Sequence, residues 1–83
     1  MRYDFSMEMD DLGRMEARVL GLFERLQAAP LKFCSLRLAD RVVVHGILEI
    51  DENHAPRIEA LCLKLEGVRS ISCCARDTSA SAP

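Results

Sequence analysis

Apolar and polar residues alternate from the second residue onward. Tyr3, Phe5, Met7 and Met9 share one parity, and Arg2, Asp4, Ser6 and Glu8 the other. A period of two predicts a strand over residues 2–9 with one buried face and one wet face. The period then changes. Met15, Val19, Leu22, Phe23 and Leu26 recur at helical spacing, which predicts a helix over residues 14–28 with Pro30 as its stop. Arg14, Arg18 and Arg25, interleaved with Glu16 and Glu24, form a solvated face of that helix. Residues 31–38, "LKFCSLRL", alternate less cleanly. Lys32 and Arg37 intrude, as charges do on a strand at a sheet edge. Ala39 and Asp40 make a turn. Residues 41–50, "RVVVHGILEI", form the strongest strand, with Val42, Val44, Leu48 and Ile50 inward and His45 and Glu49 outward. Gly46 on the inner side leaves room for a bulky neighbour.

Asn53 is the expected cap of a second helix, with Pro56 in its first turn, where a missing N–H costs nothing. Ile58, Leu61, Cys62 and Leu65 make its buried stripe. Gly67 fits a left-handed position just past its end, with Val68 set to touch Leu63. Residues 69–76 form a last strand. The tail 77–83, "DTSASAP", has nothing to pack and is expected to be disordered. Residues 1–76 therefore make one domain of the α+β class. Right-handed crossovers turn the order strand, helix, strand, strand, helix, strand into a ferredoxin-like four-stranded antiparallel sheet with both helices on one face. The expected spatial order is fourth, first, third, second.

Composition narrows the function more than it names it. A chain of 83 residues has one small core, and association is one way to bury more. The formal net charge is −2, and no Lys/Arg cluster is long enough to track phosphates, which argues against nucleic acid. No apolar run is long enough to span a bilayer, and the start lacks a secretory apolar stretch, so the expected setting is cytoplasmic. Four cysteines without a C-x-x-C pair are expected to be free thiols acting as small apolar residues rather than a metal or redox site. The histidines meet no nucleophile, and no carboxylate constellation emerges. An enzyme is not expected, and no cofactor is implied.

The stretch that stands out is "DDLGR", Asp10 to Arg14, between the first strand and the first helix. Two readings stand side by side. Asp11 or Gly13 caps the helix and the acids complement its dipole. Alternatively, the loop is a socket: helix N–H groups favour a carboxylate, glycine lets a ligand approach the backbone, and an aspartate holds an ammonium. Other uses of the architecture fit poorly. Outward aromatics for RNA are missing, as is a cysteine pair for metal transport. An acylphosphatase-like hydrolase would place a phosphate beside Asp10 and Asp11.

"DDLGRMEARVLGLFERL" followed by "KFCSLRLADRVVVHGILEI" resembles an ACT domain, a small-molecule-binding regulatory module. "RVLGLFERLQAAPLKFCSLRL" and "LKLEGVRSI" are similar to the small regulatory subunit of acetolactate synthase, of the short type II form. The resemblance covers roughly residues 3 to 76. It implies a subunit that binds and activates a thiamine-diphosphate-dependent catalytic chain in branched-chain amino-acid biosynthesis. The alternative is a stand-alone amino-acid sensor of another pathway. It also implies an amino-acid effector site between the first loop of one subunit and the second strand of its neighbour. The positions carried over are Asp10, Asp11, Leu12, Gly13, Arg14, Lys32 and Phe33. Valine-responsive small subunits carry an asparagine and then an aliphatic residue where Lys32 and Phe33 stand, so valine is not the expected effector. A homodimer is expected through the second strands, over Lys32, Phe33, Cys34, Ser35, Leu36 and Arg37.

Overall fold

The structure is a computed structural model that describes residues 1–76; the tail assigned to residues 77–83 lies outside the described residues. Its elements are β1 (Arg2–Asp10), α1 (Met15–Arg25), β2 (Ala29–Arg37), β3 (Arg41–Glu49), α2 (Ala55–Leu63) and β4 (Val68–Ala75). All strand pairs are antiparallel, and the sheet order is β2-β3-β1-β4, as the alternation and the crossover rule require. No described helix is long and apolar enough to cross a membrane.

The core lies between the sheet and the two helices. Phe5, Met7 and Met9 of β1 and Val42, Val44 and Leu48 of β3 are buried, and they meet Met15, Val19, Leu22 and Phe23 of α1 and Ile58 and Cys62 of α2. Phe5 and Phe23 meet edge to face, with ring centroids 5.4 Å apart. The two central strands thus keep the expected alternation. Leu61 and Leu65 are only partly buried, and Ala55 takes part in the second stripe instead.

The helix ends differ from expectation. α1 stops at Arg25, not at residue 28, because Gln27 turns left-handed at φ 58°. The Gln27 N–H donates to the Glu24 carbonyl and the Ala28 N–H to the Phe23 carbonyl. That pair of bonds is a Schellman motif, built here on a glutamine. Pro30 therefore lies inside β2 and does not stop the helix. At α2, Asn53 is not the cap. His54 holds the N-cap position, and the Asn53 N–H donates to Asp51 Oδ1 at 2.9 Å. Asp51 thereby organises the turn before the helix. Gly67 is left-handed at φ 95°, yet it lies in a turn beyond the helix end, where Val68 N–H donates to the Leu65 carbonyl. A Cβ there would sit 2.8 Å from Leu12 Cδ1, a contact the half-exposed Leu12 side chain can relieve by moving, so the positive φ is what calls for glycine.

β2 is an edge strand with a flaw near its start. Its register against β3 shifts between Pro30 and Lys32. Phe33 lies opposite Gly46, and a Cβ on Gly46 would overlap the Lys32 carbonyl. The close approach explains the glycine better than a bulky side chain does; Phe5 Cε1 would also be only 3.0 Å away.

Candidate functional site

The loop after β1 ends on two consecutive left-handed residues, Gly13 at φ 83° and Arg14 at φ 57°. Arg14 occupies the N-cap position of α1 with no side-chain cap. Neither Asp11 nor Gly13 caps the helix. The nearest substitute is Glu16, whose carboxylate accepts from its own backbone N–H in the first turn.

The loop acids are held elsewhere. Arg37, at the end of β2, reaches Asp11 Oδ1 at 2.6 Å with one guanidinium nitrogen and Glu16 Oε2 at 3.0 Å with the other. The Ser35 hydroxyl donates to the same Glu16 oxygen at 2.9 Å. On the opposite side, Arg69 Nε of β4 donates to Asp10 Oδ1 at 2.5 Å, and the Asp10 N–H donates to the Gly67 carbonyl. The two acids at the exit of β1 are thus fastened to different strands: Asp10 to β4 and Asp11 to β2. The Arg37 hydrogen bond holds the Asp11 carboxyl below its ordinary value. Glu16 is lowered by its own backbone N–H, then by Ser35 and the Arg37 charge. Glu16 therefore belongs to this cluster and not to the solvated face expected of it. No point around a Cβ on Gly13 has an atom within 4 Å, so the backbone at that position is open. Leu12, half exposed, lies against Gly67.

Lys32 and Phe33 are not part of this cluster within one chain. Phe33 and Arg37 are four residues apart on β2, ~13 Å in an extended strand. Lys32 and Phe33 also face opposite ways. Lys32 pairs with Ile47 on the open side of the sheet. Phe33 faces the helices, with its ring centroid 6.1 Å from that of Phe5. Any site joining them to the loop needs a second chain. Of the other β2 positions, Ser35 and Arg37 turn to the helix side and Cys34 and Leu36 to the open side, beside His45 and Val43.

Only Cys62 is fully buried; Cys34 and Cys73 are half-buried and Cys74 is exposed, and all are free. Burial pushes the Cys62 thiol up to about 12 and the Cys73 thiol up to about 11, the latter helped by Glu59. Both are unreactive thiols at neutral pH. Among the described residues, no three of His, Cys, Asp and Glu gather as a metal site would require. A groove of about 200 Å³ opens at the other end of β1, lined by Tyr3, Glu52, Ala55, Pro56, Glu59 and Cys73. No pattern along the chain pointed to it, because its walls come from three separate elements.

No family model matches the chain. No curated protein matches it either. Among solved structures, the crystal structure of the ACT domain from GTP pyrophosphokinase of Chlorobium tepidum superposes with a TM-score of 0.76 at 8% identity, covering 88% of this chain and 96% of that one. The solution NMR structure of the same domain gives 0.72 at 8% identity, covering 93% and 89%. The fold of the chain is that of these ACT domains.

Proposed function

We propose that this chain is a regulatory module of the ACT type that contributes no chemistry of its own. In its fuller form, the reading is a small subunit that binds and activates a thiamine-diphosphate-dependent acetolactate synthase catalytic chain, as the sequence resemblance implies. The observation that supports a regulatory role most directly is the loop 10–14. It leaves Gly13 with open space around it while fastening its two acids to β2 and β4. Such a loop joins a docking point to both outer strands. An amino-acid effector would meet the helix N–H groups there by its carboxylate and compete with Arg37 for Asp11 by its ammonium.

A second reading is a stand-alone amino-acid sensor. It draws on the likeness to an ACT domain of a quite different protein. The two readings separate on a partner. Mixed with an acetolactate synthase catalytic chain, the protein is expected to co-elute with it and raise its activity. Gly13→Val tests the loop in the same assay. Val at φ 83° costs about 1 kcal/mol of stability from the backbone alone. The variant is expected to fold, by circular dichroism, and to lose activation or effector response. A folded variant with full activation and response would reduce the loop to helix punctuation. Failure to co-elute, with retained amino-acid binding by calorimetry, would favour the sensor.

A further inference from the structure

β4 is one edge of the sheet. Its Arg76 N–H turns inward to the Arg2 carbonyl, so alternation turns the backbone groups of Ile71, Cys73 and Ala75 outward. Outward N–H and C=O groups along an edge are a template for another strand. The middle N–H of the three is covered from within the chain: Cys73 N–H donates to Glu59 Oε2 at 3.2 Å. The glutamate of α2 hangs over the edge and guards it.

The groove of about 200 Å³ opens beside that guard, with Glu59 and Cys73 among its walls. Cys73 belongs to both features. Its N–H faces out along the sheet, and its side chain packs on the helix side against the core. The charge at the groove is one-sided. Asp4, Glu8, Asp10, Asp11, Glu16 and Glu49 all sit in ion pairs. Among the described residues, Glu52 and Glu59 have no such partner. Arg57 lies two residues before Glu59 on α2, which turns it ~200° away around the helix. The other walls, Tyr3, Ala55 and Pro56, supply an aromatic ring and apolar carbon.

We propose that the β4 edge docks an extended segment of another protein, antiparallel to β4, in which the residue opposite Cys73 is lysine or arginine. In such a pair the residue opposite Cys73 lies ~5.5 Å away between Cα atoms, and its side chain points to the same face as that of Cys73. That is the helix side, where the groove lies. The apolar stem of a basic side chain covers Ala55 and Pro56, and its cation ends at Glu52 and Glu59. The Tyr3 ring adds a face that favours a cation. The volume suits one side chain, being smaller than the ~300–1,000 Å³ of a cleft that takes a free organic ligand. Residues two before and two after the cation lie opposite Ile71 and Ala75 on the same face, and apolar ones fit there.

Glu59 then selects as well as guards. A strand pairing with Cys73 needs its N–H, so Glu59 must let go. A basic residue gives the departing carboxylate a new partner. A strand without one leaves it unpaired. A second copy of β4 fares worse, because a two-fold axis at Cys73 brings two Glu59 carboxylates together. The docking rests on the β4 edge alone and is independent of the loop at the far end of β1.

The test uses the full chain, isotope-labelled for NMR, and a short capped peptide that alternates threonine and valine around a central lysine. Titration is expected to saturate and to shift the amide signals of Ile71, Cys73 and Ala75, while those of Asp11 to Arg14 stay in place. The same peptide with a central glutamate is expected not to bind. Glu59→Gln keeps an acceptor for the Cys73 N–H and removes the charge. It is expected to weaken the lysine peptide about fivefold, the upper range for an exposed ion pair. Equal affinity for the two peptides, or for parent and variant, overturns the selection by charge. Shifts confined to β2 and β3, or no saturable shift, overturn the docking edge. Butylammonium alone is the control: an affinity equal to the peptide's shows that the groove takes a free cation and overturns strand docking. Activation of a catalytic chain is measured separately, and none of these outcomes bears on it.

Discussion

Arg37 joins two acids that belong to different parts of the chain, and its effect is visible in acid. The folded state holds the Asp11 and Glu16 carboxyls below their ordinary values of 3.8 and 4.5. As pH falls, the unfolded chain binds these protons first. The contribution is therefore complete above the ordinary values and is lost as pH drops through the lowered folded ones. Arg37→Met removes the leading cause for Asp11 and a lesser one for Glu16, whose own backbone N–H and Ser35 remain. At neutral pH the change in melting temperature is expected to be small, because the pairs are exposed. Between about pH 5 and pH 3, the variant is expected to lose less stability than the parent. Melting curves across that range check it; parallel pH profiles for the two proteins would remove Arg37 as the source of the Asp11 shift. The same residue shows where sequence reading stops. Asp10 and Asp11 were legible as candidates, since paired acids before a helix are unusual enough to ask about. Their partners were not, because Arg37 and Arg69 meet them only after the sheet has formed.

At the scale of elements, β1 and β3 could be read directly, since one buried face forces a strict period of two. Their ends match expectation within one residue. The helix ends were less legible for a local reason. Gln27 adopts a left-handed conformation that glycine usually supplies, and Asp51 organises a turn that Asn53 was expected to start. A side chain that departs from its common use leaves no pattern to count. The guard on β4 was invisible in the same way, because Glu59 lies on a helix with nothing to link it to Cys73. It has a measurable consequence. Glu59→Ala frees the outward Cys73 N–H and exposes the β4 edge. Association through the uncovered β4 edge is expected, so the variant should form larger species than the parent by light scattering as concentration rises. Glu59→Gln keeps a carbonyl oxygen at the same reach and is expected to behave like the parent. An alanine variant of unchanged mass at high concentration would show that Glu59 does not guard the edge.

Across the whole molecule, the loop 10–14 stands at one end of β1 and the 200 Å³ groove at the other, with the core between them. The fold is shared with ACT domains at only 8% identity, so the frame can persist while the contacts in it change. On the regulatory reading proposed above, those contacts decide which effector the frame would accept. A valine-responsive small subunit offers an amide and then an aliphatic residue at the start of the second strand. Here Lys32 points to the open side of the sheet, and Phe33 occupies the helix side, 6.1 Å from Phe5 between ring centroids. Neither residue supplies an amide acceptor for an ammonium, and the larger ring takes up space near the core. Asp11, the remaining acceptor for an ammonium, is already bound to Arg37. A ligand that binds only the native state raises the melting temperature by mass action, by an amount set by concentration over Kd. Millimolar valine is therefore expected to leave the melting temperature unchanged and to leave the activity of any reconstituted pair uninhibited. Arg37→Met, tested beside the parent, isolates the two causes. If the arginine alone blocked the site, valine would stabilise the variant and not the parent; with Phe33 and Lys32 in place, neither protein is expected to respond. A saturable upward shift in the parent would contradict the prediction.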